Sequence, residues 1–394
     1  MKIKMFGKIC SAILASLLIL SFSGCGNNEN TENGGTQDGG NDREQSSSVA
    51  VVNDEIRDIP STELVKEIKI GWSLGNTLDS TGRSGVDSET SWGNIVTTKE
   101  MITAVKDAGF NIIRIPTTWG IHMDENNIVD EAWMNRVQEV VDYAYSQDMF
   151  VILNIHHEEW HDPYYETEAE STEKLKALWT QIGTRFAGYD EKLIFEGLNE
   201  PRKRNTPFEW NGGDDEGKEV VNNFNATFVE TVRGLGGNNA KRHLMIPGYA
   251  ASSADSALKA IKIPEGDDKI IVSVHAYTPY AFALSDDLTA RSFSPDDTSA
   301  NDIIYLMDSL KTNFIDKGTP VIIGEFGARS KANEEIRGEW ATFYVSQAKA
   351  IGVPCLWWDN GAFTGTGENF GILNRSTCTW EYPLVVEGLM KGLE

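Results

Sequence analysis

Two glutamates in this sequence close apolar runs that lie more than a hundred residues apart. Glu200 stands in LIFEGLNEP, residues 193–201, where Leu193, Ile194 and Phe195 read as a buried strand that continues past Gly197 through Leu198 to a tip at Asn199-Glu200-Pro201. Glu325 stands in PVIIGEFGA, residues 320–328, at the tip of Val321-Ile322-Ile323, and its flanking glycines allow a close approach to the backbone. Asn-Glu-Pro taken alone also reads as a turn. Two carboxylates on two strand tips, however, are the minimum set for cleaving a glycosidic bond, one as proton donor and one as nucleophile or base.

Holding two such groups together takes a sheet whose strand tips converge. A short capped helix at 61–68 leads into a strand at 70–76 with its tip at 76–79, and a helix at 98–108 follows, with Thr98 as its cap and Gly109 as its stop. Strands at 111–115, 150–155, 193–201, 243–247, 270–274, 321–323 and 354–358 then alternate with helices at 131–147, 171–186, 220–233, 254–260, 302–315, 336–350 and 379–389. Strands this apolar throughout need a cover on both faces, as in a parallel sheet. Eight strand–helix units predict a (β/α)8 TIM barrel. A doubly wound open sheet is the alternative, but no glycine-rich phosphate loop follows the first strand.

In such a barrel the active site lies on the C-terminal strand tips, which here carry Asn76, Arg114, His156, His157, Asn199, Glu200, His275, Tyr277, Glu325, Trp357 and Trp358. Arg114 ends an apolar strand, so its guanidinium must face a carboxylate or solvent, and a glutamate beside it would stay ionised, as a nucleophile requires. His275 and Tyr277 are two apart and point to one side. Trp357 and Trp358 are adjacent, so one is expected in the core and the other open to stack on a sugar ring. His157-Glu158-Glu159-Trp160-His161 spells the HExxH pattern of zinc peptidases, but that motif requires a helix carrying both histidines on one face. Here the stretch follows a strand directly and Asp162-Pro163 closes it. No metal and no cofactor are expected.

The chain has 394 residues, a formal charge of −24 and four cysteines. That length suits one large domain with an N-terminal appendage, and the acidic balance argues against a nucleic-acid partner. Residues 1–25 read as a signal segment: Lys2, Lys4 and Lys8 precede an apolar run from Ile9 to Phe22 that is too short to span a membrane comfortably. Ser23-Gly24-Cys25 resembles a bacterial lipobox, with Leu20 shifted from the usual leucine position, so Cys25 is the expected lipidation site; an ordinary secretory signal is the alternative. Residues 26–55 are a polar tether, and the catalytic domain is expected over 56–394. An exported, extracellular or cell-surface bacterial lipoprotein, monomeric and held to a membrane through Cys25, follows from these segments. Cys355 and Cys378 remain either a disulfide or two free thiols.

The segments GWSLGNTLD, IIRIP, ILNIHH, LNEP, HAY, IGEFG and WWDNG, in this order over about residues 60–394, resemble glycoside hydrolase family 5, the large family of endoglucanases, and in particular its subfamily 4. The resemblance implies a retaining endo-acting enzyme on β-1,4-glucans such as cellulose, mixed-linkage glucan or xyloglucan. It makes Glu200 the acid/base and Glu325 the nucleophile, with Asn199 on the sugar 2-hydroxyl. It also implies Arg114 and Tyr277 on Glu325, His275 on Glu200, His156 on the sugar or bracing the nucleophile with His157 nearby, and Trp358 as stacking platform. Ser73 departs from the family's usual Asn, a difference that bears on the detail of the distal subsite and not on the chemistry. Two other functions are compatible with parts of the chain: a lipid-tethered polysaccharide-binding protein without catalysis, and a zinc peptidase acting through His157, Glu158 and His161.

Overall fold

The computed structural model describes residues 52–365 and 367–394, so the signal segment, Cys25 and the tether up to residue 51 lie outside the described residues. Eight strands pair in parallel and in chain order: β1 Ile70–Leu74, β2 Ile112–Ile115, β3 Phe150–Asn154, β4 Leu193–Glu196, β5 Leu244–Ser252, β6 Ile270–His275, β7 Val321–Phe326 and β8 Cys355–Asp359. β8 returns to β1, with Trp72 opposite Trp357, and the barrel closes as predicted.

Strand periodicity explains how the barrel interior is layered. Ile112, Ile152, Ile194, Met245, Ile271, Ile322 and Leu356 share one buried cluster with Leu64, Val65 and Ile68 of α1 (Ser61–Glu67). That helix therefore plugs the bottom of the barrel. Two residues further along the same strands come Arg114, Asn154, Glu196, Ser273, Gly324 and Trp358, which point inward as well and form a polar layer above the apolar one. The intervening residues, among them Ile113, Leu153, Phe195, Val272, Ile323 and Trp357, pack outward against the helices.

The outer ring comprises α2 Lys99–Asp107, α3 Glu131–Tyr145, α4 Tyr165–Arg185, α5 Asp215–Gly234, the single turns α6 Asp255–Leu258 and α7 Tyr280–Ala283, then α8 Ala300–Asn313, α9 Glu334–Ala350 and α10 Pro383–Lys391. Three expectations are corrected here. Thr98 precedes α2 without a side-chain cap, α4 starts six residues before Ser171, and the stretch read as one helix from Thr379 begins as a strand. Thr379–Trp380 (β10) pairs antiparallel with Leu373–Asn374 (β9), and the helix waits for Pro383, whose fixed φ suits a first turn. The strand at 193–201 also stops earlier, at Glu196, and Gly197 to Pro201 runs on as irregular backbone. Cys355 and Cys378 are both free thiols.

Register shifts gather on one side of the mouth. Val274 pairs with Ile323 and His275 with Glu325, so Gly324 is an extra residue in β7. Such a bulge re-aims the side chain that follows it, here Glu325.

Candidate active site

Arg114 is wholly buried on β2, and three acceptors divide its guanidinium. Nε donates to Glu196 Oε2, Nη1 to Glu325 Oε1 and Nη2 to Asn199 Oδ1, each at 2.7 Å. Burial disfavours its charge, yet Glu196 and Glu325 outweigh that and hold the pKa above the ordinary arginine value. On the far side of Glu325, the Tyr277 hydroxyl donates to Oε2 at 2.8 Å. Burial, with the charge of Glu325, raises that phenol well above its ordinary pKa, so it remains a donor.

Glu200 hangs from the irregular 197–201 segment, which Asn199 ties to β3 through its backbone N–H on Ile155. Its Oε1 lies 2.8 Å from His275 Nδ1, and the same nitrogen is 3.7 Å from Glu325 Oε2. One oxygen of each glutamate and one nitrogen of His275 all fall within 4.8 Å of one another. Burial opposes charge on the His275 ring, but Glu325 and Glu200 together raise its pKa above the ordinary value. Burial likewise opposes charge on Glu200, and here the bond to His275, then the charges of His275, Arg202 and His157, bring its pKa below the ordinary value. Both shifts favour the shared proton on the imidazole over the carboxylate.

Across the mouth, Trp358 and His156 stack in parallel, with ring centroids 5.6 Å apart; Trp357 is core, and Trp358, expected to be open, is itself buried at 6% exposure because it points into the barrel. His157 is partly open under the exposed indole of Trp92, and its Nε2 lies 3.6 Å from Asp79 Oδ2. Asn76 sits on the turn after β1 with φ 54°; its backbone N–H donates to Asp79 and its carbonyl accepts from Asn94. Among the described residues its side chain makes no hydrogen bond to either glutamate.

Asp79, His156 and His157 bring three possible metal ligands together. Asn154 Oδ1 accepts from Thr117 N, so its amide nitrogen donates to His156 Nδ1 at 3.1 Å and to Glu196 Oε2 at 3.0 Å. A ring that accepts at Nδ1 carries its hydrogen on Nε2, the atom facing Asp79, and a ligating histidine needs the opposite arrangement. Residues 157–161 are not helical, so the HExxH spelling lacks its geometry. Glu158 instead accepts from Trp119 N, Gly120 N and Trp160 Nε1, and His161 is buried elsewhere with neither ring nitrogen paired.

The sequence reading omitted Glu196, Asn154, Ser273 and Arg202. Period-two spacing from Ile194, Ile152 and Ile271 would have placed the first three inside the barrel. Arg202, two residues past Glu200, lies 3.6 Å from Glu200 Oε2 and stacks on the exposed Trp210 at 4.2 Å. It lines a cavity of about 630 Å³ that runs from Glu200 past His157 and Trp92 to Trp160.

A concave, aromatic-edged mouth with two close carboxylates is suited to a neutral polyhydroxylated ligand, and the comparisons with known proteins agree. The family model for cellulase (glycosyl hydrolase family 5) matches residues 78–364. Endoglucanase B of Neocallimastix patriciarum is 49% identical over 88% of this chain and 75% of its own length, and endoglucanase A of Ruminococcus albus is 48% identical over 86% and 94%. Among solved structures, a GH5-4 broad specificity endoglucanase from Ruminococcus champanellensis with bound cellotriose is 47% identical, covering 86% of this chain and 100% of that one, at a TM-score of 0.83. With the barrel, the paired carboxylates and these matches all spanning the same residues, the chain belongs to glycosyl hydrolase family 5.

Proposed function

We propose that the protein is a retaining endo-β-1,4-glucanase in which Glu325 is the nucleophile and Glu200 the acid/base. The observation that carries this is that one oxygen of Glu200 and one of Glu325 lie within 4.8 Å of each other, which places the two groups in the close class. Retaining pairs stand about 5–5.5 Å apart, whereas inverting pairs leave room for a water at about 6.5–9.5 Å. Glu325 attacks the anomeric carbon while Glu200 gives its proton to the departing glycosidic oxygen, leaving a glycosyl ester on Glu325. Glu200, now a carboxylate, takes a proton from water as that water attacks the same carbon and releases Glu325. Arg114 and Tyr277 hold Glu325 as an oriented anion, and His275 supplies the proton that Glu200 needs as acid. The cellotriose-bound relative supports a β-glucan as substrate; on our reading Asn199 meets the sugar 2-hydroxyl at the cleavage point and Trp358 is the stacking platform.

The test is sugar release from barley β-glucan, carboxymethylcellulose, xyloglucan, mannan and xylan by the domain from residue 55, with Glu325→Gln beside it. Cleavage of a glucan that the variant loses while still binding supports the proposal. Binding without cleavage by the wild type would leave a tethered binding protein.

We also propose export and anchoring through Cys25, on the strength of the lipobox-like Ser23-Gly24-Cys25. Incorporation of labelled palmitate that Cys25→Ser abolishes is the expected result. Release of an unlabelled enzyme would identify an ordinary secretory signal.

A further inference from the structure

One buried carboxylate joins the supports of both glutamates. Glu196 is fully enclosed at the end of β4. Its Oε2 accepts from Arg114 and Asn154, and its Oε1 accepts from Ser273 Oγ at 2.6 Å. The bulge residue Gly324 borders that second oxygen. A methyl group built on it would lie 3.1 Å from Ser273 Oγ, 3.3 Å from His275 Nε2 and 3.5 Å from Glu196 Oε1. His275 Nε2 is buried and has no hydrogen-bond partner among the described residues, while Nδ1 of the same ring is on Glu200. Carboxylate, hydroxyl and imidazole nitrogen therefore border one small space, which only a glycine leaves open.

We propose that Glu196 is a positioning residue that couples the two catalytic carboxylates. Through Arg114 it takes a share of the positive charge that faces Glu325, and beside Gly324 it sets negative charge behind His275, the ring that shares a proton with Glu200. The inference rests on the assignment of Glu325 and Glu200 given above. Its physical basis is that a buried charge acts on every titrating neighbour at once, because little water screens it. The neighbours are Arg114 from β2, His156 and His157 from the β3 tip, Glu200 and Arg202 past β4, His275 and Tyr277 at the β6 tip, Glu325 on β7, and Glu368 past β8. Removing one negative charge from this set leaves more of the Arg114 charge to Glu325 and less negative charge behind His275, so the Glu200–His275 pair holds its proton less tightly.

The experiment is the pH dependence of kcat/KM on soluble β-glucan for wild type, Glu196→Gln and Glu196→Asp, with thermal unfolding to establish that each is folded. The glutamine keeps the shape and loses the charge; Ser273 can turn its hydroxyl to accept from the new amide. Both limbs of the Glu196→Gln profile are expected to move to lower pH by about one unit. Glu196→Asp, charged but too short to reach both sides, is expected to lower kcat with the limbs near their wild-type positions. Unmoved limbs in Glu196→Gln, whatever its rate, would overturn the proposal, as would an equal shift in the aspartate variant. Should the glutamine variant not fold, Ser273→Ala decides: freeing Glu196 Oε1 toward His275 should raise the basic limb alone, and an unchanged basic limb is the contrary result. Turnover by Glu325→Gln, run alongside, would instead remove the catalytic assignment and the proposal with it.

Discussion

Arg114 reaches Glu325 through a single N–H at 2.7 Å, because its other two edges are fixed on Glu196 and Asn199. A lysine at this position would keep the charge but could not reach three acceptors lying in different directions. Arg114→Lys is expected to lower kcat about 10²-fold, the scale of losing one oriented donor at a reacting group. Arg114→Ala leaves two buried carboxylates facing each other without a cation and should destabilise the fold by about 3–5 kcal/mol. Steady-state kinetics and urea unfolding separate the two outcomes.

If Glu200 donates the proton, its loss slows the first step only when the leaving group needs one, while the second step loses its base in every case. Glu200→Gln should cost about 10²–10⁴-fold on a polysaccharide, whose departing oxygen is a poor leaving group. Release of dinitrophenolate from an activated aryl cellobioside should fall far less in its first, burst phase. Equal losses on both substrates would assign the acid to another residue.

The barrel was legible because parallel strands buried on both faces are apolar throughout, and eight such runs alternate with amphipathic stretches. The tip residues were legible for the same reason, since each ends an apolar run, and Arg114, Asn199, Glu200, His275, Tyr277 and Glu325 do converge. What escaped was the layer beneath them. Glu196 looks like an interruption of a hydrophobic strand, and only its partners on three other strands explain it. The boundary at Thr379 escaped because pairing with β9 sets it: Thr and Trp both suit a strand, but a strand of two residues leaves no periodic signal in the sequence. Residues 373–375 serve the site from outside, since Arg375 binds the carbonyls of Gly75 and Asp359 and so fastens the β1 tip to the β8 tip.

Two glycines in helices predict opposite responses to alanine. Gly388 of α10 meets Gly338 of α9 so closely that a methyl group on it would lie 2.2 Å from the Gly338 carbonyl oxygen. Backbone cannot yield as a side chain can, so Gly388→Ala should destabilise by about 1–3 kcal/mol despite the better helix propensity. Gly234, at the end of α5, has nothing within 4 Å of such a methyl group. Gly234→Ala should therefore stabilise, by up to about 1 kcal/mol. Parallel urea titrations of the two variants give the sign of each change.

Histidine titration should act on stability in two opposite directions. His161 is buried with both ring nitrogens unpaired, and burial, aided by the charge of Arg204, pushes its pKa down to about 3. Between the ordinary value near 6.5 and about 3, the unfolded chain binds a proton at His161 that the folded one does not, so stability falls as the solution is acidified. His161→Leu should flatten that decline by about 1.4 kcal/mol per pH unit between pH 6 and 4. His275 has the reverse sign, because its folded pKa is raised by Glu325 and Glu200 against the effect of burial. Its contribution is complete below pH 6.5 and fades as pH rises through the folded value, so His275→Gln should lie furthest below the wild type in acid and approach it in alkali. Unfolding free energies measured from pH 4 to pH 9 test both: curves for His161→Leu and His275→Gln that run parallel to wild type would mean that neither ring changes its proton affinity on folding.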